Sequence, residues 1–125
     1  DMDGKMVNLE QLRGKVVVLN FWFINCPPCR YEMPDLNKLK AEYAGKNVEF
    51  IAITFDGKSD VSNFLKKSKF DFQIIPDARK IIETYGVMGF PTTVVLDKNG
   101  KVVDSKMGGS VNIQEELKAF IEKAN

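Results

Sequence analysis

Apolar residues in this chain fall into two kinds of run. The first kind is short, nearly continuous and rich in β-branched side chains. Val16-Val17-Val18-Leu19-Asn20-Phe21-Trp22 and Val48-Glu49-Phe50-Ile51-Ala52-Ile53-Thr54 belong to it and predict strands. The near-continuity of the first run predicts a central strand covered on both faces. In the second kind the apolar residues recur at helical spacing. Met33, Leu36, Leu39 and Tyr43 predict a helix ended by Gly45, and Ile113, Leu117, Phe120 and Ile121 predict a last helix that Asn112 can cap. Pro34 lies inside the first of these helices and predicts a kink.

Weaker signals fill the remainder. Val61, Phe64 and Leu65 predict a helix capped by Ser59 or Asp60, followed by a short strand near Phe70 to Ile74. Asp77 is expected to cap a helix from Ala78 to Tyr85 that Gly86 stops. Thr92 to Leu96 and Val102-Val103 flank Asp97-Lys98-Asn99-Gly100-Lys101, whose Asn-Gly pair predicts a hairpin. Near the start, Leu12 to Lys15 predicts a turn, and Asp3-Gly4-Lys5 predicts a hairpin turn into a short strand, Met6 to Leu9. The partner of that strand would lie upstream, so the sequence is expected to be part of a longer chain. Strand and helix alternate and the chain closes with a hairpin and a helix. This order predicts a single α/β domain over residues 1–125, with a central mixed β-sheet and helices on both faces.

Charge and composition narrow the function. The 18 basic and 17 acidic residues leave a net charge of +1, which argues against an electrostatic nucleic-acid or membrane-surface binder. No apolar stretch approaches the roughly 18 residues of a membrane span. There is no histidine, which removes histidine bases, histidine triads and the commonest metal ligand together.

Both cysteines lie in Asn25-Cys26-Pro27-Pro28-Cys29-Arg30, between the predicted central strand and a predicted helix. Two cysteines so spaced can close a disulfide within one helical turn or supply half of a metal site. The strand-to-helix context favours the redox reading. As a staple, a bridge across so short a loop restricts the unfolded chain little. Cys26, at a helix N-terminus, meets unpaired amides and the positive end of the dipole, which favours its thiolate. Pro27 and Pro28 lack N–H groups, so the first amide free to serve the sulfur is that of Cys29. Cys29 lies one turn in and is expected to be the more buried.

Larger pieces of the sequence point to a family. Leu12-Arg13-Gly14-Lys15-Val16-Val17-Val18-Leu19-Asn20-Phe21-Trp22, Cys26-Pro27-Pro28-Cys29-Arg30-Tyr31-Glu32-Met33-Pro34, the segment from Phe55 to Ile75, and Tyr85-Gly86-Val87-Met88-Gly89-Phe90-Pro91-Thr92 resemble, in order, the TlpA/ResA branch of the thioredoxin superfamily. The resemblance implies a thioredoxin-like fold with a helix-strand insert of the TlpA/peroxiredoxin type. It implies dithiol exchange in which Cys26 attacks and Cys29 resolves, with a reductant direction favoured because no histidine stands between the cysteines. Glu32 is then a catalytic carboxylate near the thiols, the alternative being a solvated acid in the first part of a helix. Pro91 becomes a cis-proline that, with Phe90, Pro27 and Pro28, contacts substrate, while core packing is the other reading of Phe90. Trp22 and Asn20 become structural residues near the site. The sequence departs from the family's pattern in Asn25, where an aromatic is usual, and in Asn20, where cytosolic thioredoxins carry a buried aspartate.

The same resemblance implies no cofactor beyond the Cys26–Cys29 disulfide, no metal and no nucleic-acid partner. It implies a monomer in a periplasmic or other extracytoplasmic setting, tethered or secreted, acting on protein disulfides. Electrons would come from a DsbD-type membrane thiol reductant, and cytochrome c maturation is one job of the family. The alternatives are a thiol peroxidase, which the paired cysteines do not match, a thioredoxin-fold copper chaperone, against which the missing histidine counts, and a disulfide-responsive binding module.

Overall fold

The structure, a computed structural model, describes residues 1–125, the side chain of Leu9 excepted. Five strands form one sheet: β1 (Val16–Trp22), β2 (Val48–Thr54), β3 (Gln73–Ile75), β4 (Thr92–Leu96) and β5 (Val102–Met107). Their spatial order is β3-β2-β1-β4-β5. β1 pairs parallel with β2 and antiparallel with β4, and every one of its seven residues is buried. Its nearly unbroken apolar run is the sequence mark of that position.

Alternation along β1 feeds two cores. Val16, Val18 and Trp22 face α1 (Pro27–Glu42) and α4 (Ile113–Ala124), which contribute Met33, Leu36, Leu39, Ile113, Leu117 and Ile121. Val61 of α2 (Lys58–Leu65) joins the same core. Val17, Leu19 and Phe21 face the other way, toward Ala78 and Ile82 around α3 (Arg79–Thr84). Helices thus cover both faces of a mixed sheet. The segment from Phe55 to Ile75 forms α2 and β3.

The structure departs from the local signals at several points. Met6 to Leu9 is no strand: the Asn8 side chain accepts from the Glu10 amide and caps a turn of 3-10 helix, Leu9–Leu12. Neither Ser59 nor Asp60 caps α2, which starts one residue earlier behind Gly57. Asp77 adopts a positive φ of 54° and does not cap α3. Its amide donates to the Asp56 carbonyl and that of Ala78 to the Thr54 carbonyl, so the end of β2 dictates its backbone. Asn112 stands before α4 without a side-chain capping bond. β3 begins at Gln73, after the stacked rings of Phe70 and Phe72. Pro34 lies on the exposed side of α1, and the helix continues past it to Glu42.

Leu117 is wholly buried where α4 meets the sheet. Leu117→Ala is expected to cost about 2–5 kcal/mol in urea unfolding with the slope unchanged. A loss well under about 1 kcal/mol would show that α4 is not part of the cooperative core.

Candidate active site

β1 ends at Trp22, and four residues later the chain enters α1. Cys26 is the N-cap of that helix, with Pro27 and Pro28 in its first two positions. The two prolines have no amide to leave unpaired and are preset for a helix start. The Cys29 amide donates to Cys26 Sγ at 3.3 Å. Cys26 and Cys29 form a disulfide, their Cα atoms 5.3 Å apart. Both cysteines are 2% exposed. Cys29 is therefore no more buried than Cys26, because the bond turns the Cys26 sulfur inward over the first turn of α1.

Glu32 follows Cys29 by one helical turn and so shares its inward face. It is 1% exposed, and neither carboxylate oxygen has a formed hydrogen bond. It is not a solvated first-turn acid. Burial raises its pKa from 4.5 to about 7. The Asn20 amide and Lys106 pull it back down, while Asp35 and Glu116 push it further up. Asn20 Nδ2 donates to Thr93 Oγ1 at 3.0 Å, and its amide approaches the Glu32 carboxyl without forming a hydrogen bond to it. The Trp22 indole N–H is likewise buried without a partner, its ring packed against Phe64 and Phe70.

The Phe90–Pro91 peptide bond is cis, and Pro91 is buried at the start of β4. The Pro91 carbonyl accepts from the Gly108 amide at 2.7 Å, which ties this loop to the end of β5. Phe90 is half-buried with its ring edge-on to Phe23 and to Phe55. Phe23 stacks in turn on Phe55. The ring thus braces the loop before Cys26, which is a packing role. Pro27 and Pro28 are exposed and line a shallow apolar groove of about 490 Å³ with Tyr31, Gly109, Ser110 and Val111. A Cβ at Gly109 would lie 3.2 Å from the Pro28 Cβ, so a glycine suits this close approach. A larger hollow of about 690 Å³ lies at the far end of α1, around Lys40, Tyr43 and Lys46. It is remote from the sulfurs, and exchange with a polypeptide disulfide needs an open surface rather than a cavity.

Two residues outside the sequence motifs also hold the site. Asp56 Oδ2 accepts from the Ile24 amide at 2.8 Å and from Thr54 Oγ1 at 2.7 Å. Asp56 thereby pins the loop that carries Cys26 to the end of β2. No sequence signal marked it, because its partner is 32 residues away. Lys106 joins the site only through the sheet register.

Residues 1–105 match the AhpC/TSA family. The chain is 40% identical over 126 residues to the thiol-disulfide oxidoreductase ResA of Bacillus thuringiensis, covering 98% of this chain and 71% of the relative. A solved structure from Chlorobium tepidum, assigned as thiol:disulfide interchange protein DsbE, superposes with a TM-score of 0.87 at 32% identity, covering 94% of this chain and 85% of that one. The exposed lipoprotein thioredoxin of Streptococcus pneumoniae gives 0.81 at 29% identity, over 97% of this chain and 94% of that one. The fold and the helix-capping disulfide define a thioredoxin-like thiol-disulfide oxidoreductase. The chain belongs to the AhpC/TSA family, among its ResA-like members.

Two measurements follow from this geometry. The folded pKa of Glu32 lies above its unfolded value, so the fold binds the proton more tightly. The stability this contributes is fully present below about pH 4.5 and is lost as pH rises through about 7. Its size is on the order of 3 kcal/mol. Unfolding free energy of the oxidised protein should fall between these pH values, and Glu32→Gln should flatten that slope; an unchanged slope would mean that Glu32 is not the group titrating. Asp56→Ala is expected to cost about 1–3 kcal/mol and to speed hydrogen exchange at the Ile24 amide at least about tenfold. Unaltered exchange there would mean that Asp56 does not hold the loop.

Proposed function

We propose that this protein reduces disulfides in other proteins, with Cys26 as the attacking thiolate and Cys29 as the resolving thiol. The observation that carries this reading is the buried, unpaired carboxyl of Glu32 on the Cys29 face of α1. A carboxyl whose pKa is about 7 can take a proton from a neighbouring thiol and return it near neutral pH.

In the reduced protein, the Cys26 thiolate attacks one sulfur of a substrate disulfide. The substrate S–S bond breaks as the Cys26–substrate bond forms, and the departing substrate thiolate takes a proton from solvent. Cys29 gives its proton to Glu32 and attacks Cys26 Sγ. The mixed disulfide breaks, the second substrate thiolate leaves and is protonated, and the Cys26–Cys29 disulfide closes. Two electrons pass to the substrate. The Cys29 amide, 3.3 Å from Cys26 Sγ, and the N-terminus of α1 favour the thiolate in the first step. Pro91, Pro27 and Pro28 give the substrate segment an apolar, rigid seat beside the sulfurs. Trp22 and Asn20 support the site from below. No cofactor or metal takes part.

The setting we assign is extracytoplasmic, with the protein tethered or secreted and monomeric. Similarity to an exposed lipoprotein thioredoxin supports the extracytoplasmic setting. Among the described residues, no helix is long and apolar enough to cross a membrane. A DsbD-type membrane thiol reductant would return the disulfide to the dithiol, and apocytochrome cysteines form one substrate class. The AhpC/TSA match motivates a second reading, a thiol peroxidase, which would consume hydrogen peroxide at the expense of thiols.

The reduction potential of the Cys26/Cys29 couple tests the direction, by equilibration with glutathione or dithiothreitol buffers and counting of thiols. A value near or below about −230 mV is expected; one near about −120 mV would make the protein a disulfide donor instead. With the reduced protein, Cys29→Ser should accumulate the mixed disulfide with insulin, and Cys26→Ser should form none. Peroxide turnover without disulfide reduction would favour the peroxidase.

A further inference from the structure

A row of three polar residues crosses the sheet beneath α1. Asn20 of β1 lies opposite Thr93 of β4, and Thr93 lies opposite Lys106 of β5. Directly opposed residues point to the same face of a sheet. For Asn20 that is the face of Val18 and Trp22, the one α1 and α4 cover. Asn20 and Thr93 are buried and bonded to one another. Lys106 ends the row on the edge strand, where its ammonium meets Glu116 of α4 at 2.9 Å. The other Glu116 oxygen accepts from Ser110 Oγ at 2.6 Å, and Ser110 Oγ accepts from the Asn112 amide at 3.1 Å. Ser110 belongs to the loop whose Gly109 rests on Pro28. The Lys106 side chain is thus held through Glu116, and only 28% of it is exposed.

An inward lysine on an edge strand has an ordinary use, since it blocks pairing with another sheet. An ion pair of this kind, still partly open to solvent, adds little to stability. Neither use requires the lysine to end a polar row that leads to Glu32. Among the described residues, Lys106 is the one cation with an appreciable attraction for that carboxylate. The other charges facing it are anionic: Asp35 from α1 and Glu116 from α4. The Cys26 thiolate adds negative charge in the reduced protein.

We propose that Lys106 is a positioning residue for the thiol exchange: held by Glu116, which Ser110 braces, its ammonium supplies the counter-charge that lets Glu32 ionise beneath the cysteines. The inference rests on the role assigned to Glu32 above. It adds that the working protonation state of that carboxyl is set from β5 and α4, elements outside the cysteine motif. Lys106 touches neither sulfur nor substrate and acts only through Glu32.

The test is a carboxyl-carbon NMR titration of Glu32 in the oxidised protein, for the wild type and for Lys106→Met, Lys106→Gln and Lys106→Arg. Loss of the charge should raise the Glu32 midpoint by roughly half to one pH unit, and arginine should restore the wild-type midpoint. In the reduced protein, a Glu32 kept neutral to higher pH repels the Cys26 thiolate less, so the pH midpoint of thiol alkylation should fall in the same two variants and return with arginine. The glutamine variant carries the test should the methionine variant fail to fold. An unmoved midpoint in the neutral variants, or an arginine variant that behaves like them, would overturn the proposal. The titration needs no substrate, so a failure to reduce insulin would count against the proposed function alone.

Discussion

Burial of β1 on both faces is the constraint on which the rest depends. A strand with all seven residues buried must be paired on both edges and covered above and below, so its end is fixed within the sheet. The chain can then turn only at the rim, and the helix that follows starts there. Cys26 caps that helix, which places a sulfur where unpaired amides and the helix dipole gather. The loop between is short and held on three sides: by Asp56 at Ile24, by the rings of Phe55 and Phe90 on Phe23, and by the helix start itself.

The same packing that fixes the sulfurs isolates a charge. Glu32 lies one turn beyond Cys29 on the buried face of α1, over a sheet position occupied by Asn20. An amide there removes the charge that an aspartate would bring and leaves Glu32 as the buried carboxyl on that side of the sheet. Burial of a carboxyl without hydrogen bonds costs stability whenever it is charged. The fold retains that cost, and such retained costs cluster where protons are handled. Placing Lys106 on the far strand keeps a positive charge within reach without filling the site beside the sulfurs.

Much of this was legible in the sequence. The β-branched runs marked β1 and β2, the helical stripes marked α1 and α4, and Asn99-Gly100 marked the turn between β4 and β5, because each element carries its own periodicity. Cap positions were less legible. Asp77 and Asn112 have the chemistry of caps, yet backbone contacts with the end of β2 took Asp77 into another conformation. Asn8 shows the reverse, a local side-chain bond winding residues 9–12 into a helical turn where alternation suggested a strand. Of the site, the cysteines and prolines were readable because four consecutive residues carry them. The aromatic partners of Phe90 and the clamp at Asp56 were not, since the groups they meet lie 67 and 35 residues (Phe23 and Phe55) and 32 residues (Ile24) away along the chain.

The sequence by itself determined the alternation of strands and helices, the meeting of two cysteines within one turn, and the absence of any histidine to assist them. Those are properties of neighbours in the chain, and short-range sterics and hydrogen bonding enforce them. Only the tertiary structure decided that Glu32 is dry, that Cys26 is as buried as Cys29, and that Lys106 stands at the end of a row begun by Asn20. Solvation and charge depend on what surrounds a group in space, and the register of β1, β4 and β5 brings together residues that the chain keeps 73 and 13 positions apart.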